Sequence, residues 1–134
     1  MFCLDTDVVS AIARPRGGPP QLARRLGLLS PSTQFTTSIT VGELLYGARK
    51  RGSEALLSDI ERLLASDIQT LSFDEPAARA YADIRVQLEG AGQRLDDPDL
   101  RIAAICVAHD LILVTGNVRH FERVPGLRIE NWLA

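Results

Sequence analysis

Apolar residues fall along this chain in short blocks whose spacing changes from one block to the next. Met1-Phe2-Cys3-Leu4 is a run of four apolar residues ended by Asp5, the pattern of a short strand buried on both faces. Val8-Val9-Ser10-Ala11-Ile12-Ala13 has the apolar density of a helix packing back on that strand. Arg14 to Pro20 is a Pro- and Gly-rich loop, and a helix then runs from about Gln21 to Leu29 until Ser30-Pro31 stops it. Gln34–Ile39 is β-branched and aromatic, a second strand. Thr40 opens a helix through about Lys50 that Gly52 closes. Ser53 caps another, with Leu56, Leu57, Ile60, Leu63 and Leu64 on one face. Ile68–Phe73 is a third strand. Asp74-Glu75-Pro76 starts a helix through Ala80, Tyr81, Ile84 and Leu88 to Gly90-Ala91-Gly92. Asp97, before Pro98, is the N-cap of a strongly apolar helix to about His109. Ile112–Thr115 and Arg128–Asn131 are the last strands.

Strands alternating with helices predict an α/β fold of three layers, with a mainly parallel central sheet flanked by helices. With 134 residues and no repeat or low-complexity segment, the chain reads as a single domain over 1–134. The longest uncharged apolar run, Ile102–Ala108, is far short of the ~20 residues a bilayer requires. The start has no basic leader and carries an acid at residue 5, so the expected compartment is cytoplasmic. Cys3 and Cys106 lie in apolar stretches and read as buried, reduced thiols.

A net charge of −2 argues against a protein that holds nucleic acid by bulk electrostatics alone. Yet Lys50 is the only lysine, and the arginines come in groups: Arg14/Arg16, Arg24/Arg25, Arg49-Lys50-Arg51 and Arg119/His120/Arg123. Guanidinium groups suit bidentate phosphate contacts, although any one group also reads as a solvated face.

Polar residues mark the places where apolar segments end. Asp5 closes the first strand, Glu43 lies in the first turn after the second, and Asp96, Asp97 and Asp99 open the helix before the fourth. Thr115 and Asn117 close that fourth strand. Carboxylates gathered at one low-dielectric sheet edge raise each other's pKa unless a cation sits among them. Oxygen ligands without a nearby Cys or His pair select Mg²⁺ or Mn²⁺, and such a site is apparatus for phosphodiester hydrolysis. Each acid also has a structural reading. Asp5 serves as a helix cap, and Thr40-x-x-Glu43 fits the capping box. Asp59, Asp67, Asp83 and Asp110 read as solvated, and His109 and His120 as surface or supporting residues.

Four ordered motifs resemble the PIN-domain ribonucleases, specifically the VapC-like toxins of type II toxin–antitoxin pairs. They are Leu4-Asp5-Thr6-Asp7-Val8-Val9-Ser10, Ser38 through Gly47, Asp99 through Ala104, and Val114 through Phe121, with Gly126-Leu127 and Asn131-Trp132 at the end. The resemblance implies a Mg²⁺- or Mn²⁺-dependent endoribonuclease in which Asp5, Glu43 and Asp99 are the metal-site carboxylates. Asn117 takes the fourth place, and cleavage leaves a 5′-phosphate and a 3′-hydroxyl. It also implies an RNA substrate, a cognate antitoxin, a homodimer and a higher assembly with the antitoxin. Two departures stand out: Asp7 where relatives usually have Asn, and Asn117 where some branches carry Asp.

Asp99 shares a helix face with Ile102, Ala103 and Cys106, so it is expected to point at the sheet edge where Asp5 ends its strand. Leu56, Leu57, Ile60, Leu64 and Tyr46 are the expected antitoxin contacts. Two other readings compete. Asp5-Thr6-Asp7 also resembles the nucleophile motif of haloacid-dehalogenase-type phosphatases, with Thr36 or Thr37 as the second-strand hydroxyl and Lys50 as the only lysine to offer. The same fold also fits a non-catalytic RNA- or partner-binding module.

Overall fold

A computed structural model describes residues 1–134. The elements are β1 (Phe2–Leu4), α1 (Thr6–Ala13), α2 (Pro20–Gly27), β2 (Gln34–Thr37), α3 (Ser38–Arg51), α4 (Glu54–Leu64), β3 (Gln69–Leu71), α5 (Glu75–Gly90), α6 (Asp97–Ala108), β4 (Ile112–Val114), α7 (Val118–Phe121) and β5 (Ile129–Glu130), with a 3₁₀ turn over Pro31–Thr33. The strands form one sheet in the order β3-β2-β1-β4-β5, and every neighbouring pair is parallel.

β1 lies in the middle because it is apolar on both sides. Cys3 and its neighbour Leu113 face a core shared with Ile84 and Leu88 of α5 and Leu100, Ala103 and Cys106 of α6. Leu4 and Val114, one residue on, face the opposite core with Val8 and Val9 of α1, Leu44 and Ala48 of α3, and Ile60 of α4. The two-residue period of a strand thus splits four adjacent side chains between two helical layers. Trp132 closes the second core, its ring centroid 5.1 Å from that of Phe2. No helix is long and apolar enough to cross a membrane.

Most boundaries agree with the apolar pattern, and the differences have local causes. Ser53 and Asp74 cap α4 and α5 as expected, each accepting an amide three residues on. The second strand stops at Thr37 rather than Ile39, because the Thr37 hydroxyl accepts the Thr40 amide at 3.1 Å and starts α3 at Ser38. The helix after the loop begins with Pro20, whose fixed φ suits the first helical position. The short α7 follows Asn117, too brief to leave an apolar period in the sequence.

Candidate active site

The chain lays β2 and β3 on one side of β1, then returns to place β4 and β5 on the other. The crevice at such a switch point, beyond the carboxyl ends of the strands, is where parallel sheets accept ligands. Asp5 leaves the end of β1 there, and Thr115-Gly116-Asn117 leaves the end of β4.

Asp5 is 4% exposed. One carboxylate oxygen caps α1 by accepting the Thr6 amide at 2.8 Å, and the other accepts the Thr115 hydroxyl at 2.7 Å. The cap and the candidate ligand are therefore the same side chain. Burial raises its pKa from 3.8 to about 6, against the Thr115 bond that lowers it, with the charges of Asp7 and Asp99 adding to the rise.

Three other elements meet it. Glu43, on α3, accepts the Thr6 hydroxyl at 2.7 Å, and that hydroxyl lies 3.1 Å from the Thr40 hydroxyl. Asp99, on the first turn of α6, is half-buried, and burial followed by the charge of Glu43 raises its carboxyl above the ordinary range. His120 of α7 stands 3.7 Å from Asp99, a supporting position. The Asn117 amide N–H donates to the Thr115 hydroxyl at 3.0 Å. Asp5, Glu43, Asp99 and Asn117 all line one cleft, with Asp7 among them.

Asp7 is held by the backbone after β4. Its Oδ2 accepts the Gly116 amide at 2.8 Å, while its buried Oδ1 has no partner within the chain. A Cβ on Gly116 would stand 2.8 Å from that Oδ2 and 3.1 Å from Leu133, so the close approach requires glycine.

Acids from β1, α3 and α6 on a parallel sheet agree with the comparison of the chain against protein families: residues 2–127 match the PIN domain. This chain belongs to the PIN domain family. It is 36% identical to the tRNA(fMet)-specific endonuclease VapC of Salmonella typhimurium, over 98% of this chain and 97% of that protein. It is 35% identical to ribonuclease VapC2 of Haemophilus influenzae, over 98% of each. The crystal structure of VapBC2 from Rickettsia felis, bound to a DNA fragment from its promoter, superposes with a TM-score of 0.88 at 28% identity, over 98% of each chain.

Within this PIN domain several expectations from the sequence are corrected. Glu43 closes no capping box with Thr40, because Thr37 holds the cap and Glu43 turns to Thr6. Asp97 is not the N-cap of α6. That position is Asp96, which makes no side-chain cap bond, while Asp97 bonds the Tyr81 hydroxyl and Arg101. On α4, Ile60 is 2% exposed while Leu56, Leu57 and Leu64 are partly buried against the second core, and Leu56 and Ile60 line the cleft; Tyr46 stands 64% exposed. The phosphatase reading fails on its second-strand hydroxyls and on its lysine. Thr36 donates to the Leu4 carbonyl, Thr37 caps α3, and Lys50 lies in the last turn of α3 beside Tyr46.

The cleft also contains residues that the sequence did not assign to the site: Thr6 and Ser10 of the first motif, and Arg14 and Arg51 from two of the arginine groups. A signal was present. Asp7, Ser10 and Arg14 are three and four residues apart, and Glu43, Gly47 and Arg51 are four apart, so each set shares one helix face.

Proposed function

We propose that this PIN domain is a VapC-type endoribonuclease, the cytoplasmic toxin of a toxin–antitoxin pair, and that Asp5, Glu43 and Asp99 hold a Mg²⁺ or Mn²⁺ ion in the cleft. The observation that carries this reading is the pair of half-buried to buried carboxyls, Asp5 and Asp99, both raised by burial and by neighbouring acids. The side chains as placed form no closed set of three ligands, so the fit rests on donor chemistry. Among the lining side chains the possible ligand atoms are carboxylate, hydroxyl and amide oxygens, with no thiolate, and this set suits a hard divalent cation.

When bound, such an ion supplies Lewis-acid polarisation of a phosphodiester and a nucleophilic water at neutral pH. The chain's own part is positioning. Thr115 and the Thr6 amide fix both oxygens of Asp5, leaving its remaining lone pairs toward the cleft. The Thr6 hydroxyl fixes Glu43 in the same way. Asn117 makes no side-chain cap bond, so its amide is free to orient water or a phosphate oxygen without adding charge.

The substrate class is RNA, as the names of the Salmonella and Haemophilus relatives state for those proteins. The protein partner is a cognate antitoxin, supported by the VapBC complexes among the solved neighbours, and the toxin acts as a homodimer that joins a larger assembly with it. Purified protein incubated with total RNA and with tRNA(fMet), with Mn²⁺ or a chelator and beside Asp5→Ala, tests the reading. Cleavage is expected only for the unaltered protein with metal. Cleavage that persists in chelator, or products ending in 2′,3′-cyclic phosphate, would overturn it.

A further inference from the structure

The ion pairs of this protein sort its cations into two groups. Arg25, Arg62, Arg79, Arg85, Arg94, Arg101 and Arg128 each meet a carboxylate. Arg14 and Arg51 meet none, yet both line the same cleft as Asp5, Glu43 and Asp99. They stand at matching places. Arg14 is the C-cap of α1 and Arg51 the last residue of α3. Each wall of the cleft therefore runs from an acid at one end, through a small residue (Ser10 or Gly47), to an arginine at the other. At 1.5 Å of rise per residue, Arg14 lies about 10 Å along its wall from Asp7, and Arg51 about 12 Å along its wall from Glu43.

This polarity has a consequence for a polyanion. The acidic end attracts a cation but repels the flanking backbone, and the net charge of −2 gives no general attraction to compensate. Affinity for a nucleic acid strand must come from cations left free of internal partners. Eight lysine and arginine side chains meet no carboxylate, and of these Arg14 and Arg51 are the two that line the cleft, in its arm between α1 and α3, away from the acids along each wall. Between them the arm is open: a Cβ on Gly47 meets nothing within 4 Å.

Resting on the ribonuclease reading above, we propose that Arg14 and Arg51 hold the RNA phosphates that flank the scissile one on a single side, so that the arm between α1 and α3 seats the strand. They are substrate-positioning residues, and the chemistry belongs to the acidic end. A purely structural explanation exists for both, since cations at helix C-termini favour the helix dipole. That explanation moves stability alone.

The experiment uses an RNA fragment that the purified protein cuts, labelled with fluorescein. Binding is read by anisotropy in chelator across a salt series, and cleavage by steady-state kinetics with Mn²⁺. The variants are Arg14→Gln, Arg51→Gln and the double, with Arg16→Gln/Arg24→Gln as a control that removes two exposed cations outside the cleft. Each cleft variant is expected to raise Kd and KM about tenfold with little change in kcat, as for one lost charge-assisted contact. The double variant should lower the slope of log Kd against log salt by about 1.4, the value for two phosphates on a single strand. Arg→Lys at both sites should restore the salt slope but only part of the KM. Gly47→Leu should block the arm and weaken RNA binding while the thermal melt is kept, because the space beside Gly47 is open. Trimming the RNA from one end should erase the penalty of the double variant, and trimming from the other should not.

An unchanged KM and salt slope in the double variant, while the unaltered protein cuts RNA, overturns the proposal and leaves the ribonuclease reading standing. Equal losses in the control variant overturn it too, since net charge alone would then be acting. Loss of binding to a co-expressed antitoxin with RNA parameters unmoved makes the arm a protein seat and overturns it. If the unaltered protein neither binds nor cuts RNA, the ribonuclease reading itself falls and takes this inference with it.

Discussion

The cleft between α1 and α3 and the outer face of α5 and α6 contain the same kinds of charged residue and treat them in opposite ways. On the α5–α6 face most charges have a partner, Asp83 excepted. Arg85 donates to Glu89 at 2.9 Å, Arg101 donates to Asp97 at 2.6 Å, and the Arg101 guanidinium also lies 5.1 Å from the centre of the Phe73 ring. His109 meets Asp74 at 2.9 Å and fastens the end of α6 to the start of α5. Asp97 is accordingly held below the ordinary carboxylate range by the Tyr81 hydroxyl and Arg101, and Glu89 by Arg85. In the cleft, burial pushes Asp5, Asp7 and Asp99 upward and no arginine or lysine pairs with them; His120, 3.7 Å from Asp99, offsets the rise there only in part. Asp97 and Asp99 sit two residues apart on one helix turn and are shifted in opposite directions. Partners, rather than residue type, decide which acids serve the fold and which are left for a ligand.

The largest test of that contrast is Asp99→Asn. It should reduce RNA cleavage to background and remove Mn²⁺ binding. The metal-free protein should be as stable as before or more so, because the change relieves burial of charge and repulsion from Glu43. An RNA assay and a thermal melt in chelator read both, and retained cleavage would place the site elsewhere on α6.

Proton linkage at Asp5 should give the next largest effect. Its carboxyl titrates near 6 in the folded protein and near 3.8 when free, so the folded state binds the proton more tightly. Metal-free stability attributable to Asp5 should therefore rise as pH falls from about 6 toward 4, by at most roughly 3 kcal/mol. Mn²⁺ affinity should move the opposite way, weakening about tenfold for each unit below about 6 as the proton competes for the carboxylate. Urea melts in chelator referenced to Asp5→Asn check the first trend, and Mn²⁺ titrations of the unaltered protein across pH check the second. Parallel trends, rather than opposed ones, would refute the linkage.

Gly116→Ala and Gly47→Ala divide the walls of the cleft by packing. The first forces a methyl group to within 2.8 Å of Asp7 and 3.1 Å of Leu133, and should cost about 1–3 kcal/mol together with much of the activity. The second adds a methyl to open space in mid-helix and should be neutral or gain up to about 1 kcal/mol. Equal melting temperatures for the two would show that Gly116 is not constrained as described. The smallest effect is expected from Asp97→Ala, which removes exposed contacts to Tyr81 and Arg101. It should lose less than about 1 kcal/mol and keep RNA cleavage. A dead Asp97→Ala enzyme would erase the distinction between the two faces.

The apolar pattern was enough to read the helices and the parallel sheet, because a strand buried on both sides and a helix with one greasy face leave different periods. Strand order was not readable. Nothing local in Ile112–Val114 says that it pairs with Phe2–Leu4 rather than with a neighbour in sequence. The four candidate site residues were found through strand ends and resemblance, and they do meet in one cleft. What failed was the assignment of caps. Thr37, Thr40, Asp96 and Asp97 all have the chemistry to cap, and the choice between them depends on Thr6 and Tyr81, which approach only after the chain has folded. The sequence marked Arg14 and Arg51 only as members of arginine groups suited to phosphate, and which of those groups faces the acids is decided by the fold, since an unpaired cation is recognised only when the carboxylates around it are known.

The central position of β1 has a consequence for how this protein is made. Its first strand acquires β2 as a neighbour early in synthesis, but its other edge stays open until Ile112–Val114 has left the ribosome. The hydroxyl that holds Asp5, from Thr115, and the amide of Asn117 arrive only then. Domains complete their folding as the last contacting segments emerge. A nascent chain therefore brings Asp5 and Glu43 together early, through Thr6, while Asp99, Thr115 and Asn117 join them only as the last elements emerge, so the cleft is completed in the closing moments of translation.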